Sequence, residues 1–129
     1  MASLMSKKNL SEEDIKRLYI TPALEAKWQL ITMETQVTDG QYNLKGNFAS
    51  RKQGKRADYL LYISENNPIA VVEAKDNRHS ISHGLQQAMQ YAQMLDLPFA
   101  YSSNGDGFTE HDFLTGTERT LKLDEFHQR

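Results

Sequence analysis

The sequence predicts an α/β domain with a mixed β-sheet, and three observations lead to this fold class. Two apolar runs, residues 56–63 and 69–75, flank a polar stretch at residues 64–68 that ends in proline, which is typical of an antiparallel hairpin. A helical spacing of apolar residues then extends over about residues 80–95, and a further apolar run covers residues 97–103. A strand, a helix and a strand in this order imply a right-handed crossover, so the last strand should pair in parallel with the second hairpin strand. We therefore expect the hairpin in the centre of the sheet and helices on both faces.

Helices are predicted before this hairpin, and a second hairpin is predicted after it. Ser11 precedes three acidic residues and is typical of a helix N-cap. Thr21 and Pro22 indicate a new helix, with Thr21 as its N-cap and Pro22 at the first helical position. The apolar face of that helix is predicted to contain Leu24, Trp28 and Ile31. Residues 104–107 favour a turn, and residues 108–116 favour a further hairpin.

Length and composition indicate one globular domain without membrane spans. The chain has 129 residues, of which 39% are hydrophobic and 25% are charged. No apolar run approaches the roughly 20 residues that a membrane helix needs, and residues 1–10 lack the apolar core of a secretory signal. The absence of cysteine excludes disulfides and thiolate metal sites and is consistent with a cytoplasmic protein. We expect residues 1–10 to be flexible, and the abrupt C-terminus at Arg129 suggests a fragment of a longer subunit.

Charged side chains are predicted to meet at the open end of the first hairpin. A turn near residue 66 places Asp58 across from the segment that runs from Glu73 to Lys75. Glu73 and Lys75 should share one face of their strand while Ala74 points to the other, but a single bulge would reverse the face of Asp58, which stays open. Two neighbouring carboxylates favour a cation such as Mg²⁺, and Lys75 is able to orient a water molecule or stabilise a phosphorane-like transition state. The alternative interpretation is a pair of exposed strand-end acids that a lysine neutralises.

Three short motifs together resemble those of a known nuclease superfamily. The motifs are Asp58, the sequence Glu73-Ala74-Lys75 after an apolar strand, and Gln87-x-x-x-Tyr91 on the helix that follows. Their combination resembles the PD-(D/E)xK nucleases, with Ala57 at the variable position of the proline. The sequences of residues 56–61 and 70–75 resemble more closely the N-terminal nuclease domain of the R (restriction) subunit of type I restriction enzymes. This resemblance extends from about Thr21 to about Asp112.

The resemblance implies a Mg²⁺-dependent endonuclease with a restriction-endonuclease-like α/β fold that hydrolyses DNA phosphodiester bonds. It implies that Asp58 and Glu73 hold the metal together with the backbone carbonyl of Ala74, and that Lys75 orients the attacking water. It further implies that ATP is used by other domains of the subunit, which acts with modification and specificity subunits. Two other interpretations stay open: a DNA-binding or assembly module that keeps the fold without cleaving, and a stand-alone nuclease of the same superfamily.

Further side chains have both an ordinary and a functional interpretation. Glu25 is either an acid that complements the helix dipole or, as the resemblance implies, an extra carboxylate near the metal. Gln87 and Tyr91 are either the polar edge of an amphipathic helix or, as the resemblance implies, residues that support the catalytic groups or contact DNA. The spacing of His79 and His83 invites a zinc interpretation, which we reject because no third ligand type is near.

A basic segment precedes Asp58. Residues 44–56 contain no acid, and the cations nearest to Asp58 in the sequence are Arg51, Lys52, Lys55 and Arg56. One interpretation is a solvated loop, and the other is a surface that binds DNA phosphates beside the site. The net charge of −2 does not favour nucleic-acid binding, so this local charge alone carries the prediction.

Overall fold

The structure is a computed structural model that describes residues 6–38, 41–42 and 55–125. Its strands are β1 (Leu30–Thr38), β2 (Gln41–Tyr42), β3 (Lys55–Ser64), β4 (Asn67–Ala74), β5 (Phe99–Ser103), β6 (Gly107–Asp112) and β7 (Thr117–Lys122). Its α-helices are α1 (Glu12–Ile15), α2 (Thr21–Lys27) and α3 (Leu85–Leu95). The strands form one sheet in the order β2-β1-β3-β4-β5-β6-β7.

The sheet is mixed, and the predicted hairpin lies at its centre. β4 and β5 pair in parallel, while the other neighbouring strands described here pair antiparallel. Because α3 connects β4 to β5, the predicted parallel pairing of these two strands across a helix is confirmed, and β6 and β7 form the predicted second hairpin. The first hairpin turns at Asn66, whose φ of 65° is left-handed, a conformation that asparagine tolerates better than most residues.

Apolar side chains alternate along the hairpin strands and build a core on each face of the sheet. Tyr59 and Leu61 face the N-terminal helices, whereas Leu60 and Val71 face α3. The N-terminal segment completes the first core with Leu10, Ile15, Ile20, Leu24 and Trp28. The second core is completed by the side chains of Leu85, Ala88, Tyr91 and Ala92. Helices therefore cover both faces of the sheet, as predicted.

The junction between the first two helices differs from the prediction. Ser11 does cap α1, since its hydroxyl accepts a hydrogen bond from the Asp14 N–H at 3.0 Å. α2 does begin at Thr21 with Pro22 in its first turn, but a π-helical turn, Lys16–Ile20, leads into it without a break. Thr21 itself has helical backbone angles, and its hydroxyl lies 2.7 Å from the Tyr59 hydroxyl. The prediction that Thr21 is an N-cap is therefore wrong.

Helix boundaries also differ on either side of the sheet. α2 ends at Lys27, where Trp28 turns to an extended backbone, and Ile31 belongs to strand β1. The prediction of one helical face that includes Ile31 is therefore wrong, and the sequence pattern does not reveal β1. α3 begins at Leu85 instead of near residue 80, because turns occupy residues 81–84.

The start of the described chain is attached to the rest of the domain. Lys7 Nζ donates a hydrogen bond to the Gly105 carbonyl at 2.8 Å, and Leu10 is buried in the first core. The flexibility expected for residues 1–10 consequently finds no support at these two positions. No helix within residues 6–38, 41–42 and 55–125 is long and apolar enough to cross a membrane.

Candidate active site

The open end of the central hairpin places the Asp58 carboxylate beside that of Glu73. The backbone ladder between β3 and β4 ends at the pair Tyr59 and Val72. Beyond it, the Asp58 N–H donates to Glu73 Oε2 at 3.0 Å, and the Ala74 N–H donates to Asp58 Oδ2 at 2.8 Å. Side chains thus replace backbone hydrogen bonds where the strands separate. The structure brings Asp58 to Glu73 as predicted, because each carboxylate accepts a backbone N–H from the other's strand.

The Glu73 carboxyl is poorly solvated and close to a like charge. Only 3% of Glu73 is exposed. Burial, followed by Coulombic repulsion from Asp58, raises the pKa of the Glu73 carboxyl to about 8. The hydrogen bond from the Asp58 N–H and the charge of Lys75 lower this pKa, but they do not offset the two larger effects. Near neutral pH the Glu73 carboxyl therefore keeps its proton unless a cation replaces it.

Lys75 lies on the same face as Glu73, as predicted. A Cβ added at Gly84 would lie 3.3 Å from Glu73 Cβ and 3.4 Å from Lys75 Cε, so both side chains border this glycine. In the part of the chain that the structure describes, the Lys75 ammonium forms no ion pair. The interpretation of two exposed acids neutralised by a lysine does not fit, because Glu73 is buried and Lys75 forms no ion pair with another described residue.

Gly84 is a site residue that the sequence analysis missed. Its N–H donates to Ser102 Oγ at 3.0 Å, and Ser102 Oγ donates to the Ile81 carbonyl at 2.8 Å. A Cβ at residue 84 would lie 3.1 Å from Ser102 Oγ as well as close to Glu73, so a side chain there would push α3 away from the carboxylates. A glycine directly before the helical pattern of α3 was the available signal.

A second missed residue, Lys16, supplies the ammonium that pairs with Asp58. Lys16 lies in the π-helical turn and is 3% exposed. Its Nζ is 3.7 Å from Asp58 Oδ1 and 2.8 Å from Glu34 Oε2. Burial lowers the pKa of Lys16, but the hydrogen bond with Glu34 and the charge of Asp58 together raise it well above its ordinary value. Lys16 is therefore a buried cation at the edge of the carboxylate pair.

The charge of Asp58 acts on the N-terminal acid Glu12 and not on Glu25, the acid that the sequence analysis singled out. Burial, followed by the charge of Asp58, raises the pKa of the Glu12 carboxyl, and Lys16 and Lys75 lower it. Glu12 is the first residue of α1 and is exposed. Glu25 is exposed on α2 and has no hydrogen bond or ion pair among the described residues. The structure thus does not bring Glu25 to the carboxylate pair.

The Gln87 and Tyr91 pair lies beside the carboxylates. Gln87 Nε2 donates to Tyr91 Oη at 3.0 Å, and Tyr91 is buried in the second core. Burial raises the pKa of the Tyr91 hydroxyl, the hydrogen bond from Gln87 lowers it, and the charges of Glu73 and Asp58 raise it further. These charges act on Tyr91 because the side chain reaches toward the open end of the hairpin. The pair is therefore placed where it can support the site.

Of the four basic residues predicted to bind DNA before Asp58, two lie among the residues that the structure describes and two lie outside them. Lys55 and Arg56 are exposed at the start of β3, so they belong to a strand and not to a loop. Arg51 and Lys52 lie outside the described residues. Lys55 and Arg56 consequently project into solvent directly next to the carboxylate site.

The two histidines after Lys75 contact each other. The ring centroids of His79 and His83 are 4.3 Å apart, and His79 Nδ1 is 3.1 Å from Asp76 Oδ1. Within the described ranges, no three His, Cys, Asp or Glu side chains gather as a metal-binding group.

The carboxylate pair fits a hard divalent cation that keeps several of its waters. One oxygen of each carboxylate accepts a backbone N–H, namely Asp58 Oδ2 and Glu73 Oε2, which fixes the two groups. The second Asp58 oxygen, Oδ1, lies 3.7 Å from the Lys16 Nζ and faces the cation of the chain that a metal would have to approach. Two carboxylates are typical of Mg²⁺ sites in proteins. The raised pKa of Glu73 also favours a bound cation, since a cation between the carboxylates would remove the repulsion from Asp58 that contributes to this pKa.

The domain has a mixed sheet with helices on both faces. An aspartate and a Glu-x-Lys sequence lie at the open end of its central hairpin. This combination defines the class of restriction-endonuclease-like α/β domains. A family model described as the type I restriction enzyme EcoKI endonuclease subunit second domain matches residues 32–97, about half of the chain. The chain therefore belongs to the family of type I restriction enzyme endonuclease subunits.

Individual relatives agree with this assignment. The type I restriction enzyme EcoAI endonuclease subunit of Escherichia coli is 40% identical over 92% of this chain and 16% of its own length. A solved fragment of an HsdR subunit of a type I restriction enzyme from Vibrio vulnificus YJ016 is 43% identical, with a TM-score of 0.78. That alignment covers 92% of this chain and 24% of the solved chain. The chain thus spans less than a quarter of the length of these relatives.

Proposed function

We propose that the chain is the Mg²⁺-dependent endonuclease domain of a type I restriction enzyme R subunit, which hydrolyses phosphodiester bonds in foreign DNA. The observation that carries this proposal is the fixed carboxylate pair of Asp58 and Glu73 with the unneutralised Lys75 beside it. A divalent cation that takes the place of the Glu73 proton removes the repulsion between the two carboxylates, which favours its binding. Membership of an endonuclease-subunit family supports phosphodiester hydrolysis over other uses of a metal site.

Each residue of the site has a distinct role in this proposal. Asp58 and Glu73 hold the metal, together with the backbone carbonyl of Ala74, and their two backbone hydrogen bonds keep the oxygens in place. When bound, Mg²⁺ neutralises charge on the phosphate and lowers the pKa of a coordinated water. Lys75 hydrogen-bonds the attacking water or a phosphate oxygen, since its ammonium has no carboxylate partner among the described residues.

Surrounding residues complete the site and the DNA approach. Glu12 takes the place that the resemblance implied for Glu25, because its carboxylate is close enough to respond to Asp58. The hydrogen-bonded Gln87 and Tyr91 support Glu73 from the side of α3. The DNA backbone contacts the exposed cations next to Asp58, for which we propose Arg51, Lys52, Lys55 and Arg56.

Other parts of the restriction complex supply what this chain does not. We propose that ATP-driven translocation belongs to further domains of the R subunit, and that the subunit acts with modification and specificity subunits in the cytoplasm. The relatives, of which this chain spans 16% and 24%, are named as subunits, which supports a part within a larger assembly.

Two isosteric substitutions test the proposed metal site and reaction. Asp58→Asn and Glu73→Gln should each abolish calorimetrically measured Mn²⁺ binding by the chain and DNA cleavage by a complex that carries it. Glu25→Gln, an exposed acid on the neighbouring helix, is the matched control and should leave both unchanged. An Asp58→Asn complex that cleaves at the unsubstituted rate would contradict the assignment of that residue. An unsubstituted complex that binds DNA and never cleaves it would favour the non-cleaving module.

A further inference from the structure

Lys16 is a charged side chain that the proposed reaction does not use. Its side chain is 3% exposed, and its Nζ lies 2.8 Å from Glu34 Oε2, 3.7 Å from Asp58 Oδ1 and 3.9 Å from Glu13 Oε1. Lysine is seldom buried to this extent unless carboxylates compensate its charge. The ammonium therefore depends on these acids, and Asp58 is the one among them that belongs to the candidate metal site.

The chain adopts two unusual local conformations to bring this ammonium to Asp58. Lys16 opens the π-helical turn between α1 and α2, and such turns often occur at functional positions. Glu34 has a φ of 53°, a left-handed conformation that residues with side chains seldom adopt. Strand pairing places Met33 opposite Tyr59 and Thr35 opposite Ala57, so Glu34 falls opposite Asp58. The strained residue and the buried lysine thus meet at one ligand of the site.

We propose that Lys16 is a resident counter-cation of the carboxylate site. It orients the Asp58 carboxylate when no divalent cation is bound, and its positive charge weakens the binding of that cation. Glu34 offsets part of the Lys16 charge and so sets how strongly Lys16 opposes the metal. Lys16 acts through Asp58 and is therefore a positioning residue. The proposal rests on the proposed function, because it requires a divalent-cation site at Asp58 and Glu73.

The charges of Lys16 and Glu34 should have opposite effects on the affinity of the site for a divalent cation, and both effects can be tested. Removal of the Lys16 charge takes away a repulsion between the ammonium and the bound cation, so divalent-cation affinity should increase. Removal of the Glu34 charge leaves Lys16 fully positive beside Asp58, so affinity should decrease. A lysine that serves only to pair with Glu34 for stability would lower the unfolding temperature when replaced but would leave metal affinity unchanged.

The test is calorimetric Mn²⁺ titration of the chain at one fixed pH and ionic strength, with thermal unfolding measured in parallel. We expect Lys16→Met to bind Mn²⁺ at least about fivefold more tightly and Glu34→Gln to bind it at least about threefold more weakly. Lys16→Arg keeps the charge and should stay within about twofold of the unsubstituted chain. Arg17→Met removes the same charge from an exposed neighbour paired with Asp14, and it should also stay within about twofold.

The possible results show whether the proposed role of Lys16 fails alone or whether the proposed metal site fails with it. Unchanged or weaker Mn²⁺ binding by Lys16→Met would overturn the inference while leaving the metal site intact. If Lys16→Met does not fold, Glu34→Gln decides, because its exposed side chain tolerates replacement and unchanged affinity there would also overturn the inference. If Asp58→Asn leaves Mn²⁺ binding unaltered, the proposed site itself fails and this inference fails with it.

Discussion

Glu73→Gln should change how the stability of the protein depends on pH. Glu73 ordinarily titrates near 4.5, whereas burial and the repulsion from Asp58 raise its pKa to about 8 in the folded chain. The folded state therefore binds this proton more tightly than the unfolded state does. Between these two pH values stability falls as pH rises, because the folded chain must either keep the proton or pay for burying a second charge. Glutamine cannot ionise and should remove this dependence.

The two pKa values set the size of the effect. At about 1.4 kcal/mol per pH unit, the interval from 4.5 to about 8 gives an upper limit of about 5 kcal/mol. Relaxation and water penetration reduce such values, so we expect a loss of about 2–4 kcal/mol for the unsubstituted chain between pH 5 and pH 9. Because the glutamine carbonyl is still able to accept the Asp58 N–H, Glu73→Gln should be the more stable protein above about pH 8.

Urea denaturation in the presence of a chelator measures this directly. Unfolding free energies of the unsubstituted chain and of Glu73→Gln are compared from pH 5 to pH 9, with Glu25→Gln as a control for an exposed acid. Saturating Mn²⁺ should flatten the pH dependence of the unsubstituted chain, since the cation replaces the Glu73 proton. A Glu73→Gln protein with the same loss of stability at high pH as the unsubstituted chain would refute this reasoning.

Three further changes test other parts of the site. Gly84→Ala should cost about 1–2 kcal/mol in urea denaturation, because its Cβ would lie 3.1–3.4 Å from three side chains, and an unchanged free energy of unfolding would contradict that contact. Lys75→Ala should lower DNA cleavage by about 10²-fold or more while Mn²⁺ and DNA affinities persist, and a fully active variant would remove the lysine from the mechanism. Charge reversal at Lys55 and Arg56 should weaken DNA binding at all sequences alike and reduce the salt dependence by about one unit per lost phosphate contact, whereas reversal at Lys122 should not.

The central hairpin was predictable because its signals are local. The apolar runs, the Asn-Asn-Pro turn and the alternation of faces all lie within residues 56–75, and together they bring Asp58 to Glu73. The parallel pairing of β4 with β5 followed from one further local signal, the helical pattern between them. Predictions that depended on contacts between distant segments were less successful.

Lys16 and Glu34 illustrate why part of the site could not be predicted. A lysine after Ile15 in an amphipathic pattern favours the solvent, and its burial depends on β1 pairing with β3. The sequence pattern predicted helix at the start of β1, so the residue opposite Asp58 was not recognised. Glu12 was interpreted only as an acid of a helix first turn, since nothing in its neighbours indicates that the charge of Asp58 acts on it.

Crystals of the chain soaked in Mn²⁺ would test the central claim most directly. The anomalous difference density of manganese should show one well-occupied peak between Asp58 and Glu73, at about 2.0–2.4 Å from an oxygen of each carboxylate. The peak should vanish in Asp58→Asn crystals that retain the hairpin geometry. Peaks elsewhere with none at this pair, from crystals in which both carboxylates are accessible to the soak, would contradict a metal-dependent nuclease site at the open end of the hairpin.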